Sequence, residues 1–349
     1  MTKLKKDIFN IKFDSKDLVR KLNIKEIKII NHKYKLSFFF RLRRGIKILT
    51  LNIRNFFSLN KTNLINSRSL ESVKKKYDGI AGQYVREYIS NKNNYFCNLN
   101  SSKDLYLIKG NPKKYYAKYL FNIIDLFKVK SLLEVGAGEL TLLYDLIKNL
   151  KKNKKYKKKE ISAVDISYYR LLAGKNFLKK KRISIEYLIK ADGANLPLQD
   201  NSIDLVFTSH CLEQVPNISK KIISELIRVS RKYVVLIEPS YDFGSQATRN
   251  RIFAKGYTKI NEKILQNISG KVILRELIPY SSHLNNAELI IIKKKQMKSH
   301  KNKLFCCPVC KKSLRKSKNK LLCDKDNIYF NIESKINLLT NSDAKNSLI

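Results

Sequence analysis

From Val129 onward, the apolar positions fall into short runs separated by stretches of helical period. Ser131–Val135, Ile161–Val164, Ile183–Leu188, Ile203–Thr208 and Tyr233–Ile237 are largely apolar and bounded by polar or glycine-bearing segments. Such runs predict strands buried on both faces. Between them, Leu140–Leu150, Tyr168–Leu178 and Ser219–Val229 carry apolar residues three and four apart, which predicts helices that pack by one face. Strands alternating with helices predict an α/β fold, a parallel sheet with helices on both faces. Ile273–Leu277 and Leu289–Ile292 predict late strands, and Ile328–Ile332 a strand in the tail.

Upstream the pattern changes. Residues 70–125 read as helices and loops, dense in tyrosine. Within residues 36–57, Phe39, Leu42, Ile46, Leu49, Ile53 and Phe56 recur at alternating spacings of three and four, with Arg43 and Lys47 between them. That is a basic amphipathic helix, suited to packing on a neighbouring domain, or to an anionic membrane surface or protein partner. Residues 58–69 read as a linker, the lysine run 151–159 as a solvated loop, and 294–303 as a charged linker. The chain therefore divides into a basic N-terminal extension (1–65), an α/β domain (66–295, with 66–125 as a helical cover) and a small C-terminal unit (300–342).

Composition sharpens this division. The 349 residues carry 72 Lys and Arg against 29 Asp and Glu, a formal charge of +43. A basic surface suits RNA, because neutralised phosphates release counterions. The excess is nevertheless mostly lysine, accompanied by many Asn and Ile, and spread from Lys3 to Lys345. A/T-rich codons supply those three residues, so the charge is largely background. Lys3–Lys6 is followed by Asp7 rather than by an apolar run, and Leu36–Phe57 is broken by arginines and a lysine. Neither a signal peptide nor a transmembrane span is expected, and the expected location is cytoplasmic.

The candidate chemistry sits at strand ends. Leu132-Leu133-Glu134-Val135-Gly136-Ala137-Gly138 runs from a predicted strand through a glycine turn into a helix. Glycines there permit tight backbone geometry and close ligand approach, and the helix N-terminus supplies unpaired N–H groups. Asp165 ends the next strand, where a carboxylate meets ribose hydroxyls, and Asp192-Gly193 ends the third, where one can accept from an adenine amino group. The dinucleotide fingerprint of dehydrogenases fits less well, because it requires a third glycine and an acid about 20 residues on.

Leu132–Gly138, Ala163-Val164-Asp165, Ala191–Leu198 and Asn201-Ser202-Ile203-Asp204-Leu205-Val206 together resemble the successive motifs of class I S-adenosylmethionine-dependent methyltransferases. The resemblance covers more than half the chain. It implies a Rossmann-like sheet and S-adenosylmethionine as cofactor. It places Glu134 toward the methionine amino group, Gly136 and Gly138 around that pocket, Asp165 on the ribose, and Asp192 with Gly193 on the adenine. Glu139-Leu140 stand where a third glycine is commoner.

Ser209-His210-Cys211-Leu212-Glu213-Gln214-Val215-Pro216 resembles the family's segment beside the transferable methyl, with Gln214 in place of a second histidine. His210 is the first candidate for a base or substrate contact, and its other reading is a buried histidine that positions the cofactor. Glu238, after the fifth strand, is the second candidate, lining the acceptor site, while Glu213 is expected to brace its loop. Asn-Pro-Pro-Tyr and Pro-Cys blocks are absent, which disfavours methylation of base amino groups and of cytosine C5.

Cys307, Cys310 and Cys323 have metal-ligand spacing, with Asp326 standing where a four-cysteine ribbon has its last ligand and Cys306 or His300 as substitutes. The segment resembles the small zinc ribbons found beside methyltransferases, including activators of transfer-RNA methyltransferases; it implies zinc, and a ribbon that keeps its strands without the ion is the alternative. The combined reading is an S-adenosylmethionine-dependent methyltransferase acting on a small-molecule or lipid/sugar-type acceptor. An RNA or translation-factor methyltransferase and a non-catalytic cofactor-binding partner subunit are the alternatives.

Overall fold

The computed structural model describes residues 2–12, 15–27, 69–90, 94–98, 105–155, 159–295 and 304–346. The amphipathic stretch expected within 36–57 lies outside them. In chain order the elements are α1 (Lys3–Phe9), β1 (Leu18–Lys21), α2 (Leu70–Gly79), α3 (Gln83–Ser90), β2 (Asn94–Asn98), β3 (Leu105–Lys109) and α4 (Lys113–Leu126). The alternating region follows as β4 (Ser131–Val135), α5 (Thr141–Lys152), β5 (Glu160–Asp165), α6 (Tyr168–Lys180), β6 (Tyr187–Lys190), β7 (Ile203–Ser209), α7 (Ser219–Val229) and β8 (Ser230–Pro239). Then come α8 (Gln246–Lys255), α9 (Glu262–Gln266), β9 (Lys271–Leu277), β10 (Ser281–Ser282) and β11 (Ala287–Lys293). The tail holds β12 (Arg315–Ser317), β13 (Lys320–Cys323), β14 (Ile328–Glu333), β15 (Ile336–Leu338) and β16 (Lys345–Asn346).

Strands β6, β5, β4, β7 and β8 pair in that order, all parallel, and β11 and β9 close the sheet antiparallel. This is the expected α/β fold, a Rossmann-like sheet. The period-two alternation divides the core between two faces. Leu132, Leu205, Phe207, Val235 and Ile237 join α4, α5 and α6 in one apolar layer. Leu133, Val206, Val234 and Leu236 join α7 in the other. Because both faces are covered, β4 and β7 are buried along their whole length.

Three features depart from the expectation. First, residues 94–109 are not all helix and loop: β2 and β3 form a hairpin in a second sheet, ordered β1-β3-β2-β10. Their tyrosines, Tyr95 and Tyr106, sit at half-buried strand positions on the edge of the main core. Second, the strand expected from Ile183 begins at Tyr187. The Ile183 N–H is taken by Leu178 O at the end of α6, and Ile183 and Ile185 pack against the helical layer before pairing starts. Third, the tail expected as a separate small unit shares the main sheet. β15 pairs parallel to β6, and Leu314, Leu321, Phe330 and Leu339 complete the apolar layer around α7. An edge strand of a parallel sheet is thereby covered.

The Asn201–Val206 block of the resemblance is architectural. Asp204 is fully buried; its carboxylate accepts from Lys130 N at 2.9 Å and from Arg231 at 2.6 and 2.8 Å. Its pKa is lowered: burial acts to raise it, and the Lys130 N–H with Arg231 and Lys232 outweighs that. Arg228 likewise ties Glu225 to the carbonyls of Leu196 and Leu198. No helix among the described residues is long and apolar enough to cross a membrane.

Candidate active site

The loops at the carboxyl ends of β4, β5, β6 and β7 converge on a cavity of about 370 Å3. Ligands of open α/β sheets bind at this edge. Its floor is the glycine turn, where Gly136 and Gly138 hold φ values of 74° and 54°. A side chain at Gly136 would collide with Cys211, which packs directly on the turn. Leu140, at the place of the missing third glycine, also holds a positive φ of 61°. Room for it comes from the facing helix, since a Cβ on Gly174 of α6 would stand 2.7 Å from both Glu139 C and Leu140 Cγ. Glu139 fills a different role, accepting from Gly82 N at 3.0 Å and Val85 N at 2.8 Å at the start of α3. It anchors the cover to the floor.

Glu134 and Asp165 differ in how they are satisfied. Glu134 is buried, lines the cavity, and leaves Oε2 without a hydrogen-bond partner among the described residues. Burial pushes its pKa up to about 8, with Asp165 adding to the rise and Lys113 and Arg170 opposing it. Asp165 accepts from Gly138 N at 2.7 Å and Ser167 N at 2.9 Å, so it fixes the turn while lining the cavity. Gly193 lines the cavity beside Ala191. Asp192 does not line it, and its Oδ1 accepts from Ala194 N within its own loop.

The two acids after β7 and β8 stand in the reverse of the expected arrangement. Glu238 is fully buried beneath the loop, accepting from Cys211 N, Leu212 N and Glu213 N at 3.0–3.3 Å. It is the brace, and it does not line the cavity. Burial pushes its pKa up to about 8, helped by Glu213 and opposed by those three N–H groups. Glu213 does line the cavity. Its Oε1 accepts from Gln214, and its buried Oε2 lies 3.6 Å from Arg251 with no hydrogen bond. Burial acts to raise its pKa, but His210, Arg251 and Lys113 outweigh burial, and the net shift is downward.

Both ring nitrogens of His210 face neighbours. Asn285 takes Arg251 on its Oδ1 and places its Nδ2 3.1 Å from His210 Nδ1. Nε2 lies 3.5 Å from Tyr116 Oη, and the two rings stack. Nδ1 also lies 3.8 Å from Glu213 Oε1. Burial, then Lys113, lowers the pKa of this histidine, against the pull of Glu213.

The tyrosine-rich cover supplies further groups. Tyr77 of α2 and Tyr84 of α3 hold the Arg170 guanidinium 4.7 and 4.9 Å from their ring centres. Lys113, at the start of α4, lines the cavity, as do Arg251 of α8 and Asn285. Burial lowers the Lys113 pKa, against the pull of Glu213. Arg170, five residues beyond Asp165, had a positional signal; Lys113 and Arg251 come from elements remote in sequence and had none.

A family model described as a methyltransferase domain matches residues 133–237. The chain carries an S-adenosylmethionine-dependent methyltransferase domain. S-adenosylmethionine is the cofactor of that domain. Among solved structures, the chain is similar to magnesium protoporphyrin IX methyltransferase from Synechocystis PCC 6803 with bound SAM, at 12% identity over 53% of this chain and 80% of that one, TM-score 0.40. A SAM-dependent methyltransferase from Aquifex aeolicus aligns at 19% identity over 52% and 98%, TM-score 0.38. The [4+2]-cyclase SpnF aligns at 11% identity over 65% and 96%, TM-score 0.45. No curated protein matches the chain.

Away from the cavity, Cys307, Cys310, Cys323 and Asp326 bring one ligand atom each within 4.8 Å of one another. Cys306 is not in this group; it is buried, with its Sγ directed at Leu196 O. His300 lies outside the described residues.

Proposed function

We propose that the cavity holds S-adenosylmethionine with its amino-acid end at Glu134 and its ribose at Asp165, and that the acceptor is a small molecule of the metabolite, lipid or sugar type bearing a hydroxyl or amine. The observation that carries the cofactor placement is the Glu134 carboxylate, buried in the cavity with an oxygen that lacks a partner. A buried acceptor without a donor is costly, and a ligand ammonium relieves it. Gly136 and Gly138 let the backbone approach the ligand, and Asp165 keeps lone pairs for hydroxyls beyond the N–H groups it already accepts. Gly193 and the Asp192 turn shape the adenine side, Asp192 by holding the loop.

The bound cofactor supplies an electrophilic methyl group on a sulfonium. The protein's part is alignment, exclusion of water and handling of one proton. Glu213 is the group placed for the proton: it lines the cavity, its lowered pKa keeps it ionised, and its buried Oε2 has no hydrogen-bond partner among the described residues. His210 is held between Asn285 and Tyr116 beside Glu213, and Glu238 positions the loop from below. A cavity of about 370 Å3 under α2 and α3 suits a small ligand.

The test is transfer of labelled methyl to a panel of small hydroxyl and amine acceptors and to RNA. Glu213→Gln should lower turnover on the accepted substrate by about 100-fold or more, the usual weight of a general base, with cofactor affinity within about two-fold of the parent. Unchanged turnover would remove Glu213 from this role. Transfer to RNA and to none of the small acceptors would overturn the acceptor class.

A further inference from the structure

We propose that Cys307, Cys310, Cys323 and Asp326 bind a divalent metal ion of the zinc type, and that this ion clamps the loop on the adenine side of the cofactor cavity, so that metal loading sets cofactor affinity. The clamp rests on the cofactor placement given above; the metal site does not.

Cys310 Sγ and Cys323 Sγ lie 3.5 Å apart, and Asp326 Oδ2 lies 3.2 Å from Cys307 Sγ and 3.3 Å from Cys323 Sγ. Zinc–sulfur bonds of about 2.3 Å in a tetrahedron give edges of about 3.8 Å. A small outward movement therefore admits the ion. Both ligand-bearing turns are preformed. The first runs from Cys307 to Lys311, where Lys311 holds a φ of 61° and its N–H closes on Cys307 O. Val309 N points at Cys307 Sγ at 3.4 Å, as suits a thiolate. In the second, Asn327 holds a φ of 53°, and the Asp326 carboxylate returns to Cys323. A carboxylate oxygen is an accepted fourth ligand where the last thiolate is missing.

The first turn also carries the clamp. Asn195 Nδ2 donates to Pro308 O at 2.9 Å, inside the Cys307–Cys310 turn. Lys311 Nζ donates to Asn195 Oδ1 at 2.5 Å and to Leu196 O at 3.2 Å. Cys306 N donates to Pro197 O at 3.1 Å. Both ends of the Asn195 amide are thus held by the metal turn. Asn195 N in turn closes on Asp192 O, and the neighbouring Ala191 and Gly193 line the cavity. The path from ion to cavity is one turn, one amide side chain and one loop.

The experiment uses the full chain under reducing conditions, with metal content measured and S-adenosylmethionine titrated by calorimetry. We expect one zinc per chain. Asp326→Ala should weaken zinc at least ten-fold in competition with a chromogenic chelator. Chelation should weaken cofactor binding about ten-fold, and added zinc should restore it, with circular dichroism reporting that the sheet persists. Asn195→Ala should keep its zinc, bind the cofactor as weakly as the chelated parent, and respond little to chelation. Purified, reduced protein that neither contains nor takes up zinc overturns the metal site. Zinc present with cofactor affinity indifferent to chelation, or Asn195→Ala with parental affinity, overturns the clamp. Zinc-loaded protein that binds no cofactor overturns the cofactor placement and the clamp together, and the metal count stands apart from both.

Discussion

At the scale of single residues, two glutamates show where sequence pattern carries chemistry and where it does not. Glu134 was legible: an acid two residues before a glycine turn, at a strand end, is buried at the ligand edge because the strand is buried. Glu213 and Glu238 were legible as site acids but not in their roles. Which one faces the cavity depends on how the loop after β7 folds over the end of β8. That loop folds so that three N–H groups point down at Glu238. No spacing in the sequence encodes that direction. Glu134 also makes a prediction about stability. Its folded pKa of about 8 stands above the ordinary 4.5, so between those values the folded state holds a proton that the unfolded state has lost. Stability therefore falls as pH rises through that window, by up to about 1.4 kcal/mol per unit. Glu134→Gln removes this loss. Its melting temperature should exceed the parent's by more at pH 8 than at pH 5, and equal differences at both would show that Glu134 is ionised throughout.

At the scale of elements, the alternating strands and helices were legible because both faces of the sheet are buried and the apolar runs are dense. The β2–β3 hairpin was not, since half-buried tyrosines on short edge strands have no distinct period. The missing third glycine has an elemental answer. Leu140 takes the left-handed backbone, and α6 gives it space through Gly174. A methyl at Gly174 meets backbone rather than a flexible side-chain end. Gly174→Ala should therefore destabilise by about 1–3 kcal/mol in urea unfolding, although alanine is the better helix former by about 1 kcal/mol. An unchanged or higher midpoint would contradict this packing.

At the scale of the whole molecule, the tail is part of the sheet. Its metal-ligand spacing was legible, but its docking on β6 was not, because parallel pairing across more than 140 residues leaves no local trace. Among the described residues, Glu134, Glu139, Asp165, Asp204, Glu213, Glu238 and Glu288 are all buried. The cover docks on Glu139 in the loop after β4, and the Cys307–Cys310 turn docks on Asn195 in the loop after β6. The central claim is that Glu134 and Asp165 at this edge hold S-adenosylmethionine. Calorimetric titration of the cofactor into the parent and into Asp165→Ala, both shown to be folded, tests it most directly. The parent should show one site, with proton release near pH 7 as Glu134 ionises against the ligand ammonium, and Asp165→Ala should bind at least ten-fold more weakly. Equal affinity in the two proteins, with no proton released, would contradict it.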